Sequence, residues 1–264
     1  MNKRKTALIG INNLTSVEQP AYSNHLQLFY RLGRSMPEID FGICNPRRMS
    51  IDRMRNFAAS AALQNDLDYL VFIDDDVLVE TDCLQRLFAR DLDICSGVTL
   101  IRGYPYAPMI FDLDKKEDAF IWDYKEKADA SGLLTVPKMA VGFSLCVIKV
   151  DLLRKMTPPF FVTGVKFTED VYFCQRALRQ VPDVKIGADV NVETAHILGW
   201  EAIEPKNRDV RMMYDEARDP SIVSARPKSE KAPREDRGIE ALKRFGILPE
   251  DIEALTFDEE NPHE

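Results

Sequence analysis

The sequence predicts an α/β fold, a mostly parallel sheet flanked by helices, followed by a charged C-terminal appendage. Two observations lead to this prediction. From residue 6 to residue 101, apolar strand patterns alternate with helical patterns, beginning and ending with a strand. Such alternation is typical of a parallel sheet, whose ligands gather at the carboxyl ends of the strands. From about residue 204, charged residues dominate and acids outnumber bases.

The first half of the chain supplies four predicted strands and three predicted helices. Continuous apolar runs indicate the strands, and apolar residues spaced three or four apart indicate the helices. The strands cover 6–11, 39–44, 69–73 and 94–101, the helices cover 20–34, about 52–65 and 82–90, and an edge segment covers 104–111.

The second half is less regular than the first. Its predicted elements are a small exposed strand with Trp122 and Tyr124, a strand over 138–150 broken at Gly142, a short helix over 151–155, a helix from Thr168 to about Gln180, and a strand over 184–192 that ends near His196. These elements continue the mixture of strands and helices expected of one α/β domain.

Composition limits the class of protein. The 264 residues are 45% hydrophobic and carry a net charge of −8, which disfavours a mainly electrostatic nucleic-acid binder. No apolar run approaches the roughly 20 residues that a membrane-spanning helix needs, so no transmembrane segment is predicted. The five cysteines are an odd number without close pairs. This usage is typical of reduced, mostly buried thiols in a cytoplasmic protein.

Three regions are predicted: a domain over 1–203, a charged and flexible linker over 204–237, and a short helical tail over 238–264. Part of the linker is rich in Lys, Arg, Glu and Pro, a composition that buries little apolar surface. The tail contains a helical pattern over 239–245 and another over 248–255. A partner-docking element and a frayed tail both remain open for this last region.

The chain is organised around three consecutive carboxylates, Asp74, Asp75 and Asp76, which follow the apolar strand 69–73. Adjacent carboxylates repel one another, and burying all three requires a cation. Because alternate residues of an extended chain point the same way, Asp74 and Asp76 are expected to share one face. Oxygen ligands of this kind suit Mg²⁺ or Mn²⁺, usually beside substrate phosphates. The alternative is an acidic turn that caps the next helix.

Four segments, taken in their order, resemble the GT-A fold glycosyltransferases of the family-2-like group. They are Arg53-Met54-Arg55-Asn56-Phe57-Ala58-Ala59, like an R-N-x-x-A segment; Phe72-Ile73-Asp74-Asp75-Asp76, like a D-x-D motif; Ala140-Val141-Gly142-Phe143, like a G-x-G-F segment; and Thr168-Glu169-Asp170 with Ala195-His196-Ile197-Leu198-Gly199, like an E-D helix start and an H-x-G ending. Ala140 stands where that pattern has its first glycine. The resemblance covers about residues 6 to 200 and implies a Rossmann-like nucleotide-diphospho-sugar transferase fold.

The resemblance also implies a set of site residues. The implied catalytic base is Asp170, with Glu169 as the second choice. The residues implied to bind the nucleotide are Arg53, Arg55, Asn56, Asp74 and Asp75, with a structural role left open for Asp75. The implied ligands of Mn²⁺ or Mg²⁺ are Asp76, which would bind directly, and less certainly Asp74 and His196.

Residue chemistry supports these roles and leaves alternatives. Guanidinium groups match phosphates, a divalent cation stabilises the charge on a departing diphosphate, and an inverting transfer needs a base. Carboxylates are also favourable at any helix start without catalysis, so Glu169 and Asp170 could simply cap a helix. In the same way, Arg53 and Arg55 could occupy a solvated helix face, and His196 could be a packed histidine.

The predicted function is a metal-dependent, hexosyltransferase-type glycosyltransferase that moves a sugar from a UDP- or GDP-sugar to an acceptor hydroxyl. Inversion with Asp170 as the base is favoured, and a retaining reaction, which would not need this base, stays open. Glycan, protein and modified nucleic-acid base are open as acceptors. One alternative is a sugar-phosphate nucleotidyltransferase, which would have a Gly-rich loop after the first strand, where Asn12-Asn13-Leu14-Thr15 stands. The other alternative is a non-catalytic module that binds a sugar nucleotide or a partner.

Overall fold

A computed structural model describes residues 4–13, 16–115, 118–164, 167–198, 201–209, 211–212 and 215. The strands are β1 Lys5–Asn12, β2 Ile39–Cys44, β3 Tyr69–Asp74, β4 Val77–Leu78, β5 Ile94–Val98, β6 Ile110–Asp112, β7 Leu133–Leu134, β8 Met139–Val141, β9 Leu145–Lys149, β10 Ile186–Glu193, β11 Ala195–Leu198 and β12 Glu201–Ile203. The helices are α1 Gln19–Ser35, α2 Ile51–Gln64, α3 Cys83–Ala89, α4 Tyr124–Lys127, α5 Val150–Lys155 and α6 Glu169–Gln180.

Seven strands form the central sheet, in the order β2-β1-β3-β9-β5-β10-β7. Strands β2, β1, β3, β5 and β10 run in one direction, because β9 is antiparallel to both β3 and β5 and the other contacts among these five are parallel. One core cluster joins the sheet to α2, α5 and α6, and a second joins it to α1 and α3. The predicted α/β class, with a mostly parallel sheet flanked by helices, is confirmed.

Strand β3 lies inside the sheet and carries the acidic run at its end. Residues 70–73 are fully buried, as expected for a strand that is covered on both faces. Helix α2 packs closely over β1 and β3 because Gly10 has no side chain there. A Cβ at Gly10 would lie 3.2 Å from the Phe72 ring and 3.4 Å from the Ala58 side chain. This close packing fixes α2 beside the end of β3.

The predicted exposed strand at Trp122 and Tyr124 is wrong. Tyr124 begins α4 and is buried in the main core cluster, with 4% of its surface exposed. Trp122 lies before the helix, and its indole nitrogen donates to Asp118 over 2.7 Å. Two aromatic residues two positions apart match the strand period, but tertiary packing decides which of them is covered.

His196 does not belong to the end of the late strand, because it lies on the separate strand β11. That strand pairs antiparallel with β4 and with β12 in a small three-stranded sheet. The residue of β4 that faces His196 in this pairing is Val77, which directly follows the acidic run. The small sheet therefore brings His196 to Asp76.

The described residues after β12 pack onto the domain. Glu204 and Asn207 are buried, and Met212 shares a buried cluster with Leu100 and Tyr106. Glu204, Asn207 and Met212 fall in the segment 204–237 that is predicted as a linker. Residues 216–264, with most of that linker and both predicted tail helices, lie outside the described residues. The division into three regions stays a prediction.

The five cysteines are unpaired, and four of them are buried, which confirms the prediction of mostly buried thiols. Deprotonation of the buried thiols is disfavoured, and burial raises the pKa of Cys95 to about 12. Within the part of the chain that the structure describes, no helix is long and apolar enough to cross a membrane.

Candidate functional site

A cavity of about 430 Å³ opens where β1 and β3 end. Its polar lining comes from Asn12, Asp74, Asp75, Asp76, Arg102 and His196, and residues at the start of α2 line another part. Ligands of open α/β sheets bind at the carboxyl ends of the strands. The acidic run therefore lies at the edge of the sheet where a ligand is expected, beside a space of the size that small-molecule sites have.

Asp74 and Asp76 are held by different partners. Strand β3 ends at Asp74, and Asp75 and Asp76 form a turn into β4. The alternation of side chains along an extended strand therefore stops at Asp74. Asp74 forms an ion pair with Arg55, whereas Asp76 forms one with Arg102. The expected common face is replaced by two separate ion pairs, although both carboxylates line the cavity.

Arg55 lies on α2 and joins the acidic turn to α6. Its Nη2 donates to Asp74 over 3.1 Å, and its Nε donates to Glu169 over 2.9 Å. Its Nη1 donates to the carbonyl oxygen of Phe143 over 3.2 Å, and its guanidinium carbon lies 4.8 Å from the centre of the Phe72 ring. Because Arg55 is only 2% exposed, it reaches the cavity only through Asp74.

Glu169 and Asp170 begin α6, and both are buried. Asp170 accepts a hydrogen bond from the Thr168 hydroxyl and another, of 2.7 Å, from the Val171 amide. Burial raises the pKa of Asp170, and burial also raises the pKa of Glu169 against the opposing charge of Arg55. Neither carboxylate lines the cavity at Asp74 to Asp76; Arg55 connects Glu169 to it through Asp74.

Asp76 lies at the centre of a second cluster, with Arg102 and His196. Nη2 of Arg102 forms the ion pair with Asp76, and Nε of Arg102 donates to Nε2 of His196 over 3.1 Å. The other ring nitrogen, Nδ1, lies 2.8 Å from the carbonyl oxygen of Leu100. Since a carbonyl can only accept, Nδ1 carries the proton and Nε2 accepts. Burial lowers the pKa of His196, which favours this neutral form.

Asp75 lies between the two clusters and has no ion pair among the described residues. Burial and the neighbouring charge of Asp74 raise its pKa from about 3.8 to about 6. Two charged arginines neutralise the flanking carboxylates, whereas this one receives no direct cation. Asp75 therefore changes its charge close to neutral pH.

Asn56, which the resemblance places at the nucleotide, contacts a backbone loop instead of lining the cavity. Its amide nitrogen donates to the carbonyl oxygens of Asp52 and Phe161, over 2.8 Å and 2.6 Å. Its amide oxygen accepts from the backbone nitrogens of Phe160 and Phe161, over 2.9 Å and 3.2 Å. These contacts use the full hydrogen-bonding capacity of the side chain. Arg53 is exposed and does not line the cavity either.

The predicted ligands Asp74, Asp76 and His196 do not form a metal site as they are arranged. The carboxylate oxygens of Asp74 and Asp76 suit Mg²⁺ or Mn²⁺, whereas the imidazole nitrogen of His196 is not a typical ligand of Mg²⁺. However, Arg55 binds Asp74, and Arg102 contacts both Asp76 and the ring nitrogen of His196 whose lone pair a metal would use. Among the described residues, no group of three or more His, Cys, Asp or Glu side chains is placed to hold a metal ion.

Sequence reasoning does not single out two residues of the cavity, Asn12 and Arg102. Asn12 ends β1 and is 3% exposed, and neither atom of its amide group has a hydrogen-bond partner among the described residues. Arg102 follows the segment that continues from β5. The signal that could have found both is position, since Asn12 is the last residue of β1 and Arg102 lies beyond the carboxyl end of β5, and both strands run in the common direction of the sheet.

No family model and no curated protein matches this sequence. Among solved structures, A197 from STIV matches with a TM-score of 0.52 and 18% sequence identity, over 88% of this chain and 98% of A197. This likeness shows the fold. At this level of identity it says nothing about the activity of the chain.

More distant solved structures have names that refer to nucleotide chemistry. A putative nucleotide-diphospho-sugar transferase from Desulfovibrio desulfuricans G20 has a TM-score of 0.38 and 11% identity, over 70% of this chain and 79% of that one. The 4-diphosphocytidyl-2C-methyl-D-erythritolsynthase from Anaerococcus prevotii DSM 20548 has a TM-score of 0.42 and 9% identity, over 81% and 97%. At these TM-scores the likenesses carry no argument, and the function has to be argued from the site.

Proposed function

We propose that this protein is a glycosyltransferase that moves a sugar from a UDP- or GDP-sugar to the hydroxyl group of an acceptor. The observation that carries the proposal is the bridge made by Arg55, which joins Asp74 at the cavity to Glu169 at the start of α6. A cavity at the carboxyl ends of the strands is suited to a donor. The bridge anchors Glu169, and with it the start of α6 where Asp170 follows, next to that cavity, where a transfer reaction needs a base.

The cavity offers groups that match a nucleoside diphosphate. Arg102 presents a guanidinium, which is suited to phosphate oxygens. Asn12 presents an amide group with unused donor and acceptor capacity, which suits the edge of a base or a ribose hydroxyl. Asp74 and Asp75 add carboxylates that can accept hydrogen bonds from ribose hydroxyls.

Sugar transfer forms a bond between the acceptor oxygen and the anomeric carbon, and it breaks the bond between that carbon and the diphosphate. The proton of the acceptor hydroxyl must pass to a base. We assign this role to Asp170 because its carboxylate, unlike that of Glu169, has no guanidinium bound to it among the described residues. Burial raises the pKa of Asp170, which makes the carboxylate a stronger base. Glu169 is the second choice.

A sugar-phosphate nucleotidyltransferase is the second candidate. The observation in its favour is that the same cavity and the same guanidinium of Arg102 suit a nucleoside triphosphate as well as a nucleoside diphosphate. The two reactions release different products. Glycosyl transfer releases a nucleoside diphosphate, whereas nucleotidyl transfer from a triphosphate releases pyrophosphate.

The proposal is tested by turnover with water as the acceptor. The chain is incubated with UDP-sugars and GDP-sugars, with Mn²⁺ and then with chelator, and the released nucleoside diphosphate is quantified. Asp170→Asn is expected to lower the rate about 10²- to 10⁴-fold, the contribution typical of a general base, without weakening donor binding. The matched control is Asp151→Asn, since Asp151 also lies in the first turn of a helix but is exposed.

Other outcomes would redirect the assignment. Equal rates for Asp170→Asn and the control would remove Asp170 as the base. Release of pyrophosphate from a nucleoside triphosphate and a sugar phosphate, without hydrolysis of nucleotide sugars, would favour the second candidate. Binding of a donor without turnover in any condition would indicate a non-catalytic module.

A further inference from the structure

One arginine contacts two of the three side chains that the sequence predicts as metal ligands. Arg102 forms an ion pair with Asp76 through Nη2, and it donates to Nε2 of His196 through Nε. A metal ion bound by Asp76 and His196 would need the same carboxylate and the same lone pair. The guanidinium therefore competes directly with a metal for these two side chains.

Arg102 also has hydrogen-bond donors that are available to a ligand. Half of its side chain, 51%, is exposed, although it lines the cavity. Nη1 has no partner among the described residues. A guanidinium has five N–H donors in a planar fork that matches phosphate oxygens. With Nε and Nη2 held by protein groups, Nη1 is presented by a side chain whose orientation is already fixed.

We propose that Arg102 is the resident cation of this cavity, that it binds the diphosphate of the nucleotide-sugar donor, and that donor binding needs no divalent metal. The inference rests on the proposed function and goes beyond it because it replaces the divalent metal at the diphosphate by a cation of the protein. Asp76 and His196 are then positioning residues, which orient the guanidinium instead of coordinating a metal.

A second feature of the cavity points to a ligand independently of Arg102. Asn12 is only 3% exposed, and both polar atoms of its buried amide lack hydrogen-bond partners among the described residues. A buried amide without hydrogen bonds is costly unless something satisfies it. Because Asn12 and Arg102 line the same cavity, one ligand with a polar base or sugar and a diphosphate would satisfy both.

The competing account is that Arg102 only neutralises Asp76 and that a metal displaces it when a donor arrives. The two accounts give opposite results for Asp76→Asn. If Arg102 is the phosphate ligand, the amide oxygen of the variant still accepts a hydrogen bond from the guanidinium and keeps it oriented, so binding in chelator is retained. If Asp76 holds a metal, the same variant loses the binding that depends on that metal.

The experiment is calorimetric titration of UDP and GDP into the full chain, in chelator and in Mn²⁺. We expect one of the two nucleotides to bind with similar affinity in both conditions. Arg102→Ala should weaken that binding at least about tenfold, the effect of losing a charge-assisted hydrogen bond, and Arg102→Lys should recover part of it. The control is Arg31→Ala, because Arg31 is exposed on α1 and does not line the cavity.

The outcomes separate failure of this inference from failure of the proposed function. Binding that requires Mn²⁺, is lost in Asp76→Asn and persists in Arg102→Ala would overturn the role of Arg102 while leaving a nucleotide site in place. Absence of binding to UDP and to GDP in every condition would overturn both. Equal weakening by Arg102→Ala and Arg31→Ala would also overturn the inference, since it would reflect net charge alone.

Discussion

The two arginine clusters that flank Asp75 share their chemistry and differ in the burial of the arginine, since the side chains of Asp74 and Asp76 are 20% and 16% exposed. The side chain of Arg55 is 3% exposed, whereas that of Arg102 is 51% exposed. Arg55 donates from Nε, Nη1 and Nη2 to protein groups. Arg102 uses Nε and Nη2, and its Nη1 has no partner among the described residues. The first cluster is closed by the protein, and the second is open to a ligand.

The difference in burial determines how much each ion pair contributes to the free energy of unfolding. Removing one partner of a buried ion pair leaves a buried charge uncompensated and costs about 3–5 kcal/mol, whereas an exposed pair contributes about 0–1 kcal/mol. The same pairing of guanidinium and carboxylate therefore stabilises the fold in one place and remains exchangeable in the other. An exchangeable cation is what a site needs if it is to bind and release an anionic ligand.

The largest effect should come from the closed cluster. Arg55→Ala is expected to lower the free energy of unfolding by about 3–5 kcal/mol, because Asp74 and Glu169 lose their shared cation inside the protein. Urea unfolding at neutral pH measures this. A loss near that of an exposed ion pair, about 1 kcal/mol or less, would show that the cluster does not hold the fold together.

A smaller loss in the free energy of unfolding is expected for a substitution at Asn56, whose side chain connects α2 to the loop before α6 by hydrogen bonds. Asn56→Ala leaves backbone groups of Phe160 and Phe161 without the partners that they have in the structure. The expected cost is about 1–3 kcal/mol, the range for buried polar groups left unsatisfied. Asn65→Ala is the control, since Asn65 is exposed and contacts only the carbonyl oxygen of Ala61. Equal losses in the free energy of unfolding of the two variants would contradict this stabilising role of Asn56.

Asp75 should respond to pH with a definite sign. Its pKa is raised by burial from about 3.8 to about 6 in the folded chain, so the folded state binds more protons than the unfolded state between these values. Stability then falls as pH rises through that window. Asp75→Asn is expected to stabilise the protein at pH 7 by about 1 kcal/mol, less than the full shift implies because water screens a half-buried group.

The measurement for Asp75 is the difference in unfolding free energy between the variant and the natural chain at pH 7 and at pH 4. The gain should be present at pH 7 and should be much smaller at pH 4, where the carboxyl group is protonated in the folded state and about half protonated in the unfolded state. A gain of equal size at both values would mean that the effect does not come from the charge of Asp75.

Periodic patterns predicted the parts of the fold that depend on local sequence. The strand 39–44 matches β2, and the helix predicted from Thr168 to about Gln180 matches α6. The strand predicted at Trp122 and Tyr124 failed because the burial of Tyr124 depends on the rest of the core, which no short pattern records.

The sequence indicated only some of the residues of the candidate site, for a similar reason. Asp74 to Asp76 stand out as a run, and they do line the cavity. Arg102 is a lone arginine after an apolar segment, and its meaning arises only when the sheet brings it to Asp76. Asn56 shows the converse case, since its amide is turned toward the loop at Phe160 by contacts between distant residues. The position of a residue in the sequence therefore indicates whether it lies near a site, but not which groups its side chain contacts.

The most direct test of the contrast between the clusters is the unfolding free energy of Arg102→Ala, measured without ligand and then with the nucleotide that binds, in chelator. Without ligand, we expect the variant to lie within about 1 kcal/mol of the natural chain. At a nucleotide concentration 100 times the dissociation constant, the natural chain should gain about 2.7 kcal/mol, and the variant about 1.4 kcal/mol or less if its affinity is tenfold lower. A variant that is destabilised by about 3 kcal/mol without ligand, or that gains as much from the nucleotide as the natural chain, would contradict the account.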